Sequence, residues 1–132
     1  MTFKTMKPLA TMTGILMATA VVAAPAQARG TEIRASLHGA AAFPNASGSA
    51  KLKRDGGKRE FEAEVEHARS LAGKRLTVFV HGTKVGTMTV GRLGRAQLNR
   101  STQLGQKVPT VSKGNRVNVR TAVGTLVVSG KF

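Results

Sequence analysis

The chain has 132 residues, with 21 Lys and Arg against 6 Asp and Glu, a formal net charge of +15 and no cysteine. The missing cysteine excludes disulfides, thiol nucleophiles and thiolate metal ligands. All six acids precede His67, and the twelve Lys and Arg that follow have no carboxylate in their half of the sequence. The chain has only three His and no Gly-x-Ser-x-Gly motif. We therefore predict no catalytic residue, no cofactor and no metal site, and a protein that is not an enzyme.

The N-terminus has the organisation of a secretory signal peptide. Lys4 and Lys7 precede an apolar run over 9–24, and Ala26-Gln27-Ala28 has the small-residue pattern of a cleavage site. The run contains Thr and Gly and falls short of the roughly 20 apolar residues that a membrane span needs. The pattern predicts a signal peptide over 1–28, no membrane span after cleavage, and an exported protein of the periplasm or the extracellular space. A retained N-terminal anchor is the alternative.

The remaining chain, 29–132, is predicted to be a single β domain. Val, Thr, Leu, Ile and Phe occur in short alternating runs, separated by Gly, Asn, Ser and Lys. The predicted strands are 32–38, 48–54, 58–66, 75–81, 84–90, 95–99, 108–111, 116–121 and 125–129. This pattern predicts an all-β fold, a small antiparallel sandwich or barrel of eight to nine short strands.

The first hairpin is predicted to turn at Gly56-Gly57, which sets the register of the two strands. In that register apolar residues face each other on one side and opposite charges on the other. The predicted pairs are Leu52 with Phe61, Ala50 with Ala63, Lys53 with Glu60, Lys51 with Glu62, and Asp55 with Lys58. A helix over 61–72, ended by Gly73, competes with this prediction because apolar residues there also recur at helical spacing.

Four glutamates alternate along the second strand of this hairpin, at Glu60, Glu62, Glu64 and Glu66. Alternate residues of a strand share one face, so the row with His67 could be a cation site or a solvated, ion-paired face. A straight row of side chains diverges, whereas a calcium site needs six to eight oxygens around one point. We therefore predict an ion-paired face, matched by the lysines of the neighbouring strand.

A second hairpin is predicted around a Gly82-Thr83 turn, with Val80 opposite Val85 and Phe79 opposite Gly86. Leu76, Val78, Val80 and Val85 would then form its core face. The other face would carry a second apolar patch. Either the rest of the chain covers this patch, or it is a partner surface formed by Phe79, Met88 and Val90.

The C-terminal two thirds of the domain combine a Val-x-Val-x-Gly-x-x-Val-Gly-Thr pattern with a Gly-x-Ala-x-Leu strand, a Val-Pro segment and a terminal Gly-x-Phe. The residues are Val78, Val80, Gly82, Val85, Gly86, Thr87, Gly94, Ala96, Leu98, Val108, Pro109, Gly130 and Phe132. This combination resembles small exported bacterial proteins of β-sandwich type that have no established activity. The resemblance implies export and a β fold, and it implies no catalytic residue.

Two functions remain open. The first is an exported, non-catalytic structural or interaction module of the cell envelope, with another envelope protein as its partner. The second is the binding of a polyanion, such as lipopolysaccharide, an acidic polysaccharide, an anionic lipid or extracellular DNA, because an uncompensated positive field attracts polyanions. The predicted polyanion-binding residues are Arg92, Arg95, Arg100, Arg116 and Arg120. Intracellular nucleic acid is not expected as a partner, since Trp and Tyr are absent. The sequence leaves the oligomeric state undetermined.

Overall fold

The computed structural model describes residues 30–132. The predicted signal peptide lies outside these residues. The described chain is all-β, as predicted, with eight strands and two single 3₁₀ turns, Arg69–Leu71 and Thr102–Leu104. The strands are β1 (Gly30–Gly39), β2 (Ser47–Asp55), β3 (Lys58–Glu66), β4 (Arg75–Val80), β5 (Thr83–Thr89), β6 (Ala96–Ser101), β7 (Arg116–Thr121) and β8 (Leu126–Lys131).

The strands form one antiparallel sheet in the order β5-β4-β7-β8-β1-β2-β3-β6, and the sheet curls into a nearly closed barrel. Its first and last strands, β5 and β6, come into contact without pairing. A Cβ placed on Gly86 of β5 would lie 2.6 Å from Nη2 of Arg100 and 3.1 Å from Cδ1 of Leu98 on β6. A side chain at this position would have to displace the ends of those two side chains, so glycine eases the approach of β5 to β6. Of the two predicted architectures, the barrel is therefore the one observed.

One face of each strand fills the barrel. The fully buried residues include Phe61, Leu76, Val117 and Val128. Within 30–132, no polar or charged residue is buried as a whole. This is the alternation expected of strands with one face in the core and one in water.

The two ends of the barrel are covered by the long connections. The lower end is the end at which β5 turns into β6. There the segment after β3 places Ala68 and Leu71 in the core. The Ala68 amide donates a hydrogen bond to the Gly94 carbonyl at 2.9 Å. At the upper end, where β2 turns into β3, the segment between β6 and β7 places Val108 and Val111 in the core. Both connections therefore extend the core that the strands begin.

The predicted register of the first hairpin is confirmed for every pair. Leu52 lies opposite Phe61, and Lys51 lies opposite Glu62. The helical alternative for 61–72 is wrong, because β3 continues to Glu66 and only the short turn Arg69–Leu71 follows it. Cross-strand packing and charge pairing favour the strand over the helical spacing.

The second hairpin exists, but its predicted register is wrong. The turn consists of His81 and Gly82, with φ of 52° and 79°, so both residues have the positive φ of the mirror-image turn that suits twisted strands. Lys84 therefore lies opposite Phe79, and the register shifts by one residue at Val85 before Gly86 lies opposite Val78. Such a bulge changes the faces to which the residues of β5 point.

The predicted strand over 108–111 is absent. Its two valines are buried, but they belong to the connection that covers the upper end of the barrel. Pro109 has no N–H to give to a ladder, and a buried valine satisfies the same apolar pattern in a loop as in a strand. Within 30–132, none of the helical segments has the length or hydropathy needed to span a bilayer.

Candidate anion-binding face

The outer surface of the barrel has two sides that differ in charge. All six acids lie on β1, β2 and β3, which are neighbours in the sheet and are followed by β6. The outward residues of β5, β4, β7 and β8 include no Asp or Glu. We call this second surface the basic face. Its cations are Arg75, Lys84, Arg116, Arg120 and Lys131.

Strand β7 shows why these cations point outward. Val117 and Val119 are buried in the barrel, so Arg116, Asn118 and Arg120 must lie on the opposite face. Arg116 and Arg120 are thus separated along the strand by roughly 13 Å. The alternation that builds the core places the charges in water.

Cross-strand neighbours set the spacing of the basic face. Arg116 lies directly opposite Lys131, a like-charge pair that repels. Asn118 lies opposite Phe79, which in turn lies opposite Lys84, so a half-buried aromatic ring sits within the cationic surface. The face combines repelling cations with one apolar contact point.

None of the ion pairs formed within 30–132 includes a cation of the basic face. Arg120 is held in place differently, because its Nη1 donates to the Gly124 carbonyl at 2.9 Å. That hydrogen bond orients the guanidinium without neutralising it. The positive charge of the face therefore remains uncompensated by carboxylates.

The structure separates the five arginines predicted to bind a polyanion. Arg116 and Arg120 share the basic face, and Arg92 lies in the turn between β5 and β6. Arg100 lies on the same face of β6 as the buried Ala96 and Leu98 and points inward beside Gly86. Arg95 lies on the acid-bearing side, where its Nε is 3.3 Å from Glu64 and its Nη2 is 3.1 Å from Glu66. These five residues do not form one site.

Sequence reasoning did not group Arg75, Lys84 and Lys131 with the two arginines of β7. The signal for Arg75 is visible in the sequence, because it precedes the alternating core residues of its strand. The positions of Lys84 and Lys131 depend on the bulge and on the pairing of β7 with β8. Neither is encoded by charge pattern alone.

The glutamate row is ion-paired, but only partly in the predicted way. Lys51 lies 3.1 Å from Glu62, as the hairpin register predicts. Gln97 of β6 also donates to Glu62 at 2.9 Å. The Lys51 hydrogen bond is the main cause that holds the pKa of Glu62 below its ordinary value, against a smaller opposing effect of desolvation. Glu64 and Glu66 contact the unforeseen Arg95, which the pairing of β3 with β6 brings to them.

Within 30–132, no three His, Asp or Glu side chains come together in a way that could hold a metal ion. The glutamates project along one strand, and two of them contact the same arginine. The ion pairs of Glu62, Glu64 and Glu66 make the row an ion-paired surface.

The predicted partner surface is not assembled either. Met88 and Val90 are buried in the core at 5% and 1% exposure, whereas Phe79 lies on the outside of β4. The bulge at Val85 is the physical reason, because it turns the following residues of β5 toward the interior. Only Phe79 is left on the surface, as part of the basic face.

No protein-family model matches the chain, and a search of curated proteins found no match. The geometry of the basic face is therefore the ground for a functional hypothesis.

Proposed function

We propose that this protein is an exported, non-catalytic binding module of the cell envelope, and that its basic face binds an anionic polymer. The observation that carries the proposal is the placement of five cations on four adjacent strands with no Asp or Glu among the outward residues. A field of one sign on a folded surface raises the local concentration of polyanions and accelerates their association.

A polymer suits the face better than a small ion. Adjacent strands are about 4.8 Å apart, so four strands spread the charges over roughly 15 Å. The cations do not converge on a point; they recur along and across the strands. A chain with repeated carboxylates, sulfates or phosphates can contact several of them at once, and its binding must weaken as salt screens the charges.

The repulsion between Arg116 and Lys131 supports the same proposal. Like charges directly opposite each other reduce the stability of a sheet, so the pair has a cost in the unbound protein. An anion bound between them would relieve that repulsion. A surface selected only for solubility gains nothing from placing these two cations in register.

The test is retention of the mature domain on a heparin column during a salt gradient. The double variant Arg116→Gln/Lys131→Gln removes two cations from the basic face. Its matched control, Lys53→Gln/Arg54→Gln, removes two exposed cations from β2 on the acid-bearing side. We expect the first variant to elute at clearly lower salt than the control, because only the basic face contacts the polymer. Equal elution of the two variants would show that retention follows net charge and would refute the proposed face.

Export has a separate test. The full chain, expressed with a C-terminal tag in a bacterium, should appear outside the cytoplasm and begin at Arg29 when its N-terminus is sequenced. Accumulation of an uncleaved chain in the cytoplasm would refute export without bearing on the polymer.

A further inference from the structure

A cavity of about 300 Å³ lies at the upper end of the barrel, where β5 and β6 meet without pairing. It is walled by the start of β5, by β3 and by the connection that follows β6. Three cations, three uncharged polar residues and three apolar residues line it in equal shares. They are Arg59, Lys84, Lys107, Thr83, Thr102, Gln106, Val85, Val108 and Pro109.

The cations of this cavity have no carboxylate partner. No Asp or Glu lines the cavity, and none of the ion pairs within 30–132 involves Arg59, Lys84 or Lys107. Three positive charges around one small volume repel each other. An anion in the cavity would convert that repulsion into attraction.

Arg59 is the deepest of the three cations and is only partly satisfied. It lies on the same face of β3 as the buried residues Phe61 and Ala63, and its Nη2 donates to the Val108 carbonyl at 3.2 Å. Its Nε is buried and has no hydrogen-bond partner in the protein, and the same holds for the Nε of Arg100 on the neighbouring strand. A buried donor without a protein partner is rare in folded proteins, and an anion beside Arg59 would supply the acceptor.

The other polar groups hold the wall of the cavity in shape. The Arg59 amide donates to Oγ1 of Thr102 at 3.0 Å, which ties β3 to the connection after β6. Oε1 of Gln106 accepts from the Ser101 amide at 2.9 Å, so the amide nitrogen of Gln106 points away from that bond as a further donor. The site thus offers donors on a preformed wall.

We propose that this cavity binds a small organic anion, a carboxylate or phosphate head that carries a short apolar group. The head would lie against Arg59 with Lys84 and Lys107 at the rim, and the apolar group would lie against Val85, Val108 and Pro109. The volume is at the lower limit of roughly 300 to 1,000 Å³ for ligand pockets, which restricts the ligand to a few carbons. This ligand is chemically distinct from the polymer proposed for the outer face, and the two sites share only Lys84.

The test is an NMR titration of the ¹⁵N-labelled mature domain with hexanoate, hexyl phosphate, hexanol and inorganic phosphate. We expect saturable shifts for hexanoate or hexyl phosphate at the amides of 83–85 and 106–108, and none for hexanol. The tighter of the two anions identifies the preferred head. Shifts that do not saturate, equal effects of hexanol, or equal affinity for inorganic and hexyl phosphate would overturn the proposal.

Variants locate the binding. Arg59→Gln should weaken the tighter anion about tenfold, the loss expected for one charge-assisted hydrogen bond. Arg54→Gln is the matched control, because Arg54 lies directly opposite Arg59 but does not line the cavity. If Arg59→Gln fails to fold, Lys107→Gln at the exposed rim serves as the second variant and should weaken binding about threefold. Unchanged affinity in the folded variants would refute the site.

Heparin retention separates this proposal from the first. Arg59→Gln should elute together with Arg54→Gln, because neither residue belongs to the basic face. Loss of polymer binding in Arg116→Gln/Lys131→Gln should leave hexanoate or hexyl phosphate binding intact. Loss of both kinds of binding in Arg59→Gln, or in Arg116→Gln/Lys131→Gln, would overturn the assignment of two sites.

Discussion

Glu62 shows how strand register sets the ionisation of a single residue. Its carboxylate accepts from Lys51 across the hairpin and from Gln97 of β6 on the other side. Hydrogen bonds and positive charge favour the ionised form, so the pKa of Glu62 is lowered. The first of these contacts follows from the hairpin register, and the second requires a strand that comes more than thirty residues later.

Substitution Glu62→Gln should reduce stability at neutral pH and have no effect in acid. Because the folded pKa is lowered, the contribution of the carboxylate is present above its ordinary value of 4.5 and is lost as pH falls through the folded pKa. The Glu62 side chain is still 37% exposed, and solvent weakens its ion pair, so we expect a loss of less than about 1 kcal/mol at pH 7. Urea unfolding of wild type and variant at pH 7, 5 and 3 measures it.

The matched control is Glu60→Gln, in the same row but without an ion pair among residues 30–132. It should cost less than Glu62→Gln at pH 7. A Glu62→Gln deficit that is as large at pH 3 as at pH 7 would contradict the electrostatic explanation.

At the scale of elements, the β4–β5 hairpin is governed by its turn. His81 occupies a left-handed conformation that L-residues other than Asn, Asp and Gly rarely adopt, and Gly82 follows in the same region. Asn-Gly is the preferred pair for this turn. The sequence His81-Gly82-Thr83 allows a two-residue turn at His81-Gly82 or at Gly82-Thr83. The strand twist and the bulge at Val85 select His81-Gly82.

Substitution His81→Asn should therefore stabilise the protein by about 0.3 to 1 kcal/mol, because Asn tolerates the left-handed region better than His. Gly82→Ala should destabilise it by roughly 1 kcal/mol, since alanine is strained at a φ of 79°. Thermal unfolding measures both changes. A destabilised His81→Asn variant or a stabilised Gly82→Ala variant would contradict the assigned turn.

In the β7–β8 pair, we expect the same two cations to favour polymer binding and to lower the stability of the sheet. Arg116 and Lys131 are direct cross-strand neighbours of like charge. We expect Arg116→Gln to raise the free energy of unfolding by about 0.2 to 1 kcal/mol at low salt, because it removes a repulsion. The same variant should bind heparin more weakly.

Chemical unfolding at low and high salt measures this stabilisation, which should shrink as salt screens the charges. Arg54→Gln, another exposed arginine that faces a like charge across a hairpin, is the control for the repulsion itself. It should stabilise the protein comparably and leave heparin binding nearly unchanged. A destabilised Arg116→Gln would mean that the arginine has a structural role.

At the scale of the whole molecule, the strand order decides which charged segments of the chain become neighbours on the surface. Four of the five strands that follow the last acid are neighbours and form the basic face. The fifth, β6, crosses to the acid-bearing side and brings Arg95 to Glu64 and Glu66. The two sides of the barrel are therefore a property of topology.

This difference can be measured with a single pair of variants. Arg95→Gln and Arg116→Gln change the net charge equally, yet only Arg116 lies on the basic face. Arg116→Gln should lower the heparin elution salt more than Arg95→Gln does, because the charge of Arg95 is already balanced by two carboxylates. The reverse order would place the polymer on the other side of the barrel.

The sequence by itself determined the β class and the first hairpin. Strand alternation and turn chemistry act between residues close in the chain, so Leu52 and Phe61 could be paired in advance. Only the tertiary structure decided which distant strands become neighbours, where the bulge at Val85 falls, and that Val108 covers an end of the barrel. Those outcomes depend on closing a core from segments far apart in sequence, and many strand orders satisfy the same local pattern. The basic face and the anion cavity both arise from that closure. The positions of the arginines in the sequence were therefore not enough to predict either one.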